Sequence, residues 1–198
     1  MRRAALAIVW AGLACAGGAG DAPARVNAPL APESAAPAPR AAAAASPAAS
    51  PAPPTAVARA LVAAHDRVRA RHCARPLTWS PALARVAQAW ADHLRRAGCR
   101  LEHSRSPYGE NLAAATAGGL APADVVGLWS GEARDYDFHR PGFSMTTGHF
   151  TQVVWRDTAR VGCGVTSCNG LDIWVCNYDP PGNVEGEYQD NVQPVGCM

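Results

Sequence analysis

Four side chains in this sequence could share chemistry, although each belongs to a different stretch: His103, Glu110, Glu132 and His149. Two imidazoles and two carboxylates suit two tasks. The rings can hold a divalent cation such as Zn2+ through their nitrogens while a carboxylate orients a water or acts as base. Alternatively, the four can hydrogen-bond among themselves and brace a cleft, each Glu favouring the protonated ring. Other chemistries lack their signatures. The chain has no Gly-rich phosphate loop, H-E-x-x-H helix or paired C-x-x-C motif, which leaves nucleotide chemistry and the familiar zinc-protease design unsupported. Ser104 follows His103, but no spacing rule ties them to an acid as a serine triad requires.

The elements that must position these groups can be read from periodicity. His149 lies in Gly148-His149-Phe150-Thr151-Gln152-Val153-Val154-Trp155, rich in β-branched and aromatic residues, which reads as a strand. At period two, His149, Thr151, Val153 and Trp155 share one face and Phe150, Gln152 and Val154 the other, so the strand needs cover on both sides. Pro122 opens a helix in which Val125, Trp129, Glu132 and Tyr136 form one stripe. A carboxylate inside such a stripe costs several kcal/mol unless a cation or donor meets it; the alternative is a Glu at the stripe's exposed edge. His103 and Glu110 belong to a link through Pro107 and Tyr108 of the kind that places side chains at a site.

Two earlier helices are expected. Val57, Leu61, Ala64, His65, Val68 and His72 recur at helical spacing, with His65 and His72 as core or helix-edge histidines. Ser80 and Pro81 supply an N-cap and first-turn proline for Leu83, Val86, Ala87, Trp90, Ala91 and Leu94, and Gly98 ends that helix. Asn169-Gly170 marks a two-residue hairpin turn that pairs Cys168 with Leu171. Counting outward sets Cys163 opposite Cys176 in a non-hydrogen-bonded pair, close enough for a disulfide.

Composition divides the chain. Ala and Pro fill 24 of the 34 positions from Asp21 to Pro54, which cannot form an apolar core. Residues 55–198 remain as one domain of about 140 residues, long enough to bury a core. Arg2 and Arg3 precede an apolar run, Ala4 to Ala14, so residues 1–20 read as a signal peptide, too short to span a bilayer. Leu13-Ala14-Cys15 resembles a bacterial lipoprotein signal that would lipidate Cys15, making residues 21–54 a tether between membrane and domain. Ordinary cleavage after Ala14-Cys15-Ala16 is the alternative. Of seven cysteines, setting Cys15 aside leaves six that can pair, which implies an extracytoplasmic location and argues against a cysteine nucleophile. From Thr55 onward, 14 Arg meet 14 acids, so no electrostatic footprint for nucleic acid exists. The charge is lopsided, 10 Arg against 3 acids in residues 55–105 and 4 against 11 thereafter, as if two halves packed through paired surfaces.

His103-Ser104, Tyr108-Gly109-Glu110-Asn111-Leu112, Trp129 to Glu132, Gly148 to Trp155 and Cys176-Asn177-Tyr178-Asp179-Pro180-Pro181-Gly182-Asn183 together resemble the CAP superfamily of cysteine-rich secretory, antigen 5 and pathogenesis-related class 1 proteins. The resemblance runs from about residue 57 to 195 and implies an α/β fold, a three-layer α-β-α sandwich with a mainly antiparallel sheet. It implies that His103, Glu110, Glu132 and His149 converge in a cleft, with His103 and His149 as ligands of Zn or another divalent cation in some members. It further implies that Cys163 joins Cys176 and Cys99 joins Cys168; Cys73 and Cys197 are left to pair by elimination.

Tyr136-Asp137-Phe138, Pro141-Gly142-Phe143-Ser144 and Glu185 to Val192 are most similar to the sterol-binding secreted members of yeasts. On that likeness the expected function is a binding module for a sterol or fatty acid. Tyr136, Phe138, Pro141 and Phe143 would line an apolar crevice, and residues 136–147 would form its movable wall. These aromatics packing the segment onto the sheet is the plainer reading. A metal-dependent hydrolase or protease and an extracellular interaction or defence-type protein are the alternatives.

Overall fold

The computed structural model describes residues 55–196. Helix α1, Ala56–Arg71, starts where the Thr55 hydroxyl accepts the Ala58 amide at 3.1 Å, and it buries Leu61, Ala64, His65 and Arg69. Strand β1, Thr78–Trp79, follows, then helix α2, Pro81–Arg96. The Ser80 hydroxyl caps α2 through the Leu83 amide, and Gly98 beyond its end takes the left-handed φ of 89° that a residue with a Cβ resists. Strand β2, Gly109–Thr116, helix α3, Pro122–Ser130, helix α4, Gly148–Val154, strands β3, Arg160–Cys168, and β4, Leu171–Asp179, and helix α5, Tyr188–Asn191, complete the order.

The strands lie in the order β1-β3-β4-β2, antiparallel except for β1, which pairs parallel with β3. Ala87, Ala91 and Leu94 of α2 cover one face with Leu112, Ile173 and Val175. The larger core on the other face joins α1, α3 and α4 to Ala113, Trp174, Cys176 and Tyr178. This is the three-layer sandwich. Gly162 lets α2 sit directly on β3, since a Cβ there would stand 2.6 Å from the Ser80 carbonyl oxygen. The hairpin register matches the count from Asn169-Gly170: Cys163 opposes Cys176, and the two form a disulfide with Cα atoms 4.1 Å apart. Cys99 and Cys168 form a second. The signal segment, Cys15 and the linker 21–54 lie outside the described residues, as does Cys197 and with it the expected Cys73–Cys197 pair. No helix among the described residues is long and apolar enough to cross a membrane.

Three expectations need correction. Residues 148–154 are a helix, not a strand. Phe150, Thr151, Gln152, Val153 and Val154 are all buried, so no polar face marks the period, and a short apolar run does not distinguish buried helix from strand. What favours the helix is remote. Thr147 at its N-cap makes no side-chain capping bond; instead the Glu132 carboxylate accepts the His149 and Phe150 amides at 3.0 and 3.1 Å. The helix carrying Glu132 is also shorter than expected: α3 stops at Ser130 and the chain tightens into a 3-10 turn, Gly131–Asp135. The lopsided charge, finally, does not resolve into paired surfaces. His103–Glu110 is the ion pair that the described residues form between residues 55–105 and the rest.

Candidate functional site

Glu110 lies at the start of β2, an edge strand, and gathers donors from the link that follows α2. The His103 Nδ1–H donates to Oε1 at 2.9 Å, the Ser104 amide to Oε1 at 2.8 Å and the Ser104 hydroxyl to Oε2 at 2.6 Å. Asn177, opposite on β4, adds its amide at 3.3 Å. Burial pushes the Glu110 carboxyl up, but the His103 and Ser104 donors outweigh it and hold the group below the usual carboxylate range. Ser104 spends its hydroxyl on the acid, not on an imidazole, so the order of a serine triad is absent here.

Glu132 makes the matching arrangement on the other side. Its Oε1 accepts the His149 Nδ1–H at 2.7 Å while Oε2 holds the first amides of α4. His149 is further fixed by the Trp129 ring, stacked with centroids 6.3 Å apart, and by the Asn111 amide, which donates to the His149 carbonyl at 3.1 Å. Trp129 is itself anchored, its indole N–H donating to the Leu112 carbonyl at 3.0 Å. The four residues thus meet as two pairs. Among the described residues no hydrogen bond or ion pair joins one pair to the other; they are linked through consecutive residues of β2, Glu110 holding His103 and Asn111 holding His149. Because β2 is an edge strand, nothing in the sheet lies beyond this junction.

Both Nδ1 atoms are committed to carboxylates, so each ring presents Nε2. A carboxylate that accepts the Nδ1–H in this way fixes the tautomer and orientation of a histidine that acts as metal ligand or as base. No group of three or more His, Cys, Asp or Glu side chains is assembled as a metal site among the described residues. Catalytic zinc usually takes three protein ligands, a set that the described residues do not assemble here.

The four expected ligand-lining residues divide. Tyr136 is buried with its ring 5.7 Å from Phe150, and Phe138 packs against Tyr136, Phe150 and His72, so both pin the 136–147 segment to the core. Pro141 is half-buried. Phe143 is 52% exposed, beside Met145 at 51%. Asn111, Asn177 and Asn183 stand within the motifs of the resemblance, but the sequence assigns them no role at the site. Asn is disfavoured in strands, so Asn111 and Asn177 within apolar runs were the available signal. Asn183 accepts the Thr151 hydroxyl and donates to the Gly148 carbonyl, clamping α4.

Residues 62–178 match the Cysteine-rich secretory protein family, CAP. The chain belongs to this family. Over 139 residues this CAP protein is 46% identical to Protein PRY2 of Saccharomyces cerevisiae, an alignment covering 69% of this chain and 41% of PRY2, so it spans less than half of that relative. Pathogenesis-related protein 1 of Arabidopsis thaliana is 44% identical over 123 residues, covering 62% of this chain and 75% of the plant protein. Among solved structures, BmVAL-1 aligns with a TM-score of 0.59 at 23% identity, covering 71% of this chain and 83% of that one. NaASP2, solved with Zn2+, aligns with a TM-score of 0.57 at 23% identity over 72% of this chain and 88% of that one. At such identity the two structures speak for the CAP fold alone.

Glu132 offers a direct test of how this CAP site is held. Glu132→Ala removes the acceptor for two α4 amides and one imidazole, and is expected to cost about 2 kcal/mol. Glu132→Gln keeps one acceptor oxygen and should cost roughly half as much. Urea denaturation followed by circular dichroism measures both; an unchanged midpoint for the alanine variant would refute this role.

Proposed function

We propose that this chain is an extracytoplasmic binding module, not an enzyme. It takes up a small apolar ligand such as a sterol or fatty acid against Phe143 and Met145, beside an imidazole pair, His103 and His149, that holds Zn2+ or another divalent cation. The observation that carries the reading is the division of the 136–147 segment. Tyr136 and Phe138 anchor it to the core while Phe143 and Met145 keep about half their surface in water. Adjacent exposed apolar side chains on an anchored segment suit a ligand or membrane contact better than packing. The likeness of this segment to sterol-binding yeast proteins supports the ligand class, and the two disulfides support a location outside the reducing cytoplasm.

Purified protein titrated with radiolabelled sterol and palmitate tests the apolar ligand. Phe143→Ser with Met145→Ser should leave folding intact and weaken binding about tenfold, since each side chain contributes only part of its full burial. Absence of saturable binding by the wild type would end the proposal. For the cation, calorimetry should register Zn2+ uptake that His103→Ala and His149→Ala each abolish, and no uptake by the wild type would remove that half. A metal-dependent hydrolase is the second reading, favoured by the commitment of both Nδ1 atoms to carboxylates, which leaves each Nε2 as a basic site.

A further inference from the structure

A cavity of about 420 Å3 opens where the turn between α1 and β1, the turn between α4 and β3, and α5 come together. Its lining includes Arg75, Thr78, Arg156, Asp157, Thr158 and Asp190. Two Arg and two Asp residues, all exposed, border one space, yet among the described residues none of the four side chains enters a hydrogen bond or ion pair. The walls that carry them are fixed. The Arg69 guanidinium donates to the Arg75 carbonyl at 2.7 Å and to the Thr158 carbonyl at 2.8 Å. The Arg156 amide donates to the Asn191 carbonyl, the Asp157 amide to the Asn191 side chain, and the Thr78 amide to the Ala159 carbonyl. The backbone around the cavity is thus tied together from behind while its charges face solvent.

We infer that this cavity is a binding site for a small zwitterion, a free amino acid or a short peptide with both termini charged. The four charged groups sum to zero, which decides the class. A simple anion would meet two carboxylates and a bare cation two guanidiniums, whereas a molecule carrying both signs satisfies both pairs through charge-assisted hydrogen bonds. An arginine fork suits a terminal carboxylate, and an Asp accepts an ammonium. Pro76 and Ala159 are the apolar residues of the lining, so the sterol or fatty acid proposed for the Phe143 surface finds no cover here. The volume lies within the range usual for small-molecule pockets.

Calorimetric titration of the full chain with glycylglycine tests the site, with an expected Kd of about 1 mM. N-acetyl-glycylglycine, which lacks the cation, and glycylglycinamide, which lacks the anion, should each bind about tenfold more weakly. Arg156→Ala and Asp190→Ala, both at exposed side chains, should keep the wild-type melting temperature and each lose about tenfold in affinity, with palmitate and sterol binding unchanged. No saturable heat up to about 10 mM, equal affinity for the blocked peptides, or undiminished binding by either variant overturns the inference.

Discussion

Arg69→Ala is expected to remove on the order of 5 kcal/mol of stability. The Arg69 side chain is fully buried without a carboxylate partner, and its guanidinium donates to four backbone carbonyls: Arg75, Val153, Trp155 and Thr158, at 2.7 to 3.0 Å. Two of those carbonyls belong to the end of α4, where the last turn of a helix leaves acceptors unfilled, and the others close the flanking turns. Burial draws the guanidinium down to about 10, partly offset by Asp66 and Tyr178, so it stays charged at neutral pH. Removing it strands several buried acceptors at about 1 to 3 kcal/mol each, a total of order 5 kcal/mol against a typical domain stability of about 5 to 15. Arg69→Lys keeps the charge but offers one compact ammonium where a planar fork reaches four carbonyls, and should lose on the order of 2 to 3 kcal/mol. Urea denaturation of the three proteins measures this, and an alanine variant with the wild-type midpoint would show that the carbonyls find other donors.

Arg69 also shows where local reading stops. It falls four residues after His65 on the buried stripe of α1, a position where an arginine should raise suspicion, but three of its four partners lie 84 to 89 residues away. The same holds for α4. Its helical state depends on a carboxylate 17 residues upstream and a clamp from Asn183, neither of which leaves a local pattern. Where the deciding contact is local, the sequence was sufficient. Ser80 with Pro81 starts α2, and Asn169-Gly170 sets a register that carries Cys163 to Cys176. The four His and Glu residues were legible as residue types through the family resemblance. Their division into two pairs, linked through Glu110 and Asn111 on adjacent positions of an edge strand, follows from strand order and could not be counted along the chain.

Between about pH 6.5 and 4 the protein should lose about 3 kcal/mol of stability to one group, His65. The ring is fully buried in α1; its Nδ1–H donates to the Leu61 carbonyl at 2.8 Å, so Nε2 must accept the Tyr178 hydroxyl at 2.9 Å. Tyr178 in turn accepts from Asn111 at 3.4 Å. Every acceptor in this chain is filled by the neutral ring. Protonation would place a second N–H against a hydroxyl whose other neighbour is also a donor. Desolvation accordingly lowers the pKa from 6.5 to about 4, opposed by the Leu61 carbonyl and reinforced by nearby Arg69. The sign follows. Within this window the unfolded chain binds a proton that the native state refuses, so the contribution is complete above about 6.5 and is lost as pH falls towards 4. His72, lowered mainly by burial, acts in the same direction. Glu110, held below its usual range, adds a loss at lower pH as it protonates. Replacing the polar pair with His65→Phe and Tyr178→Phe together removes the titration without leaving an unpaired hydroxyl, while Asn111 keeps its bond to His149. Stability measured by urea across this range should then vary markedly less with pH than in the wild type. Equal slopes in the two proteins would mean that His65 takes up its proton freely in the fold, and that the buried chain from α1 to α4 does not depend on a neutral ring.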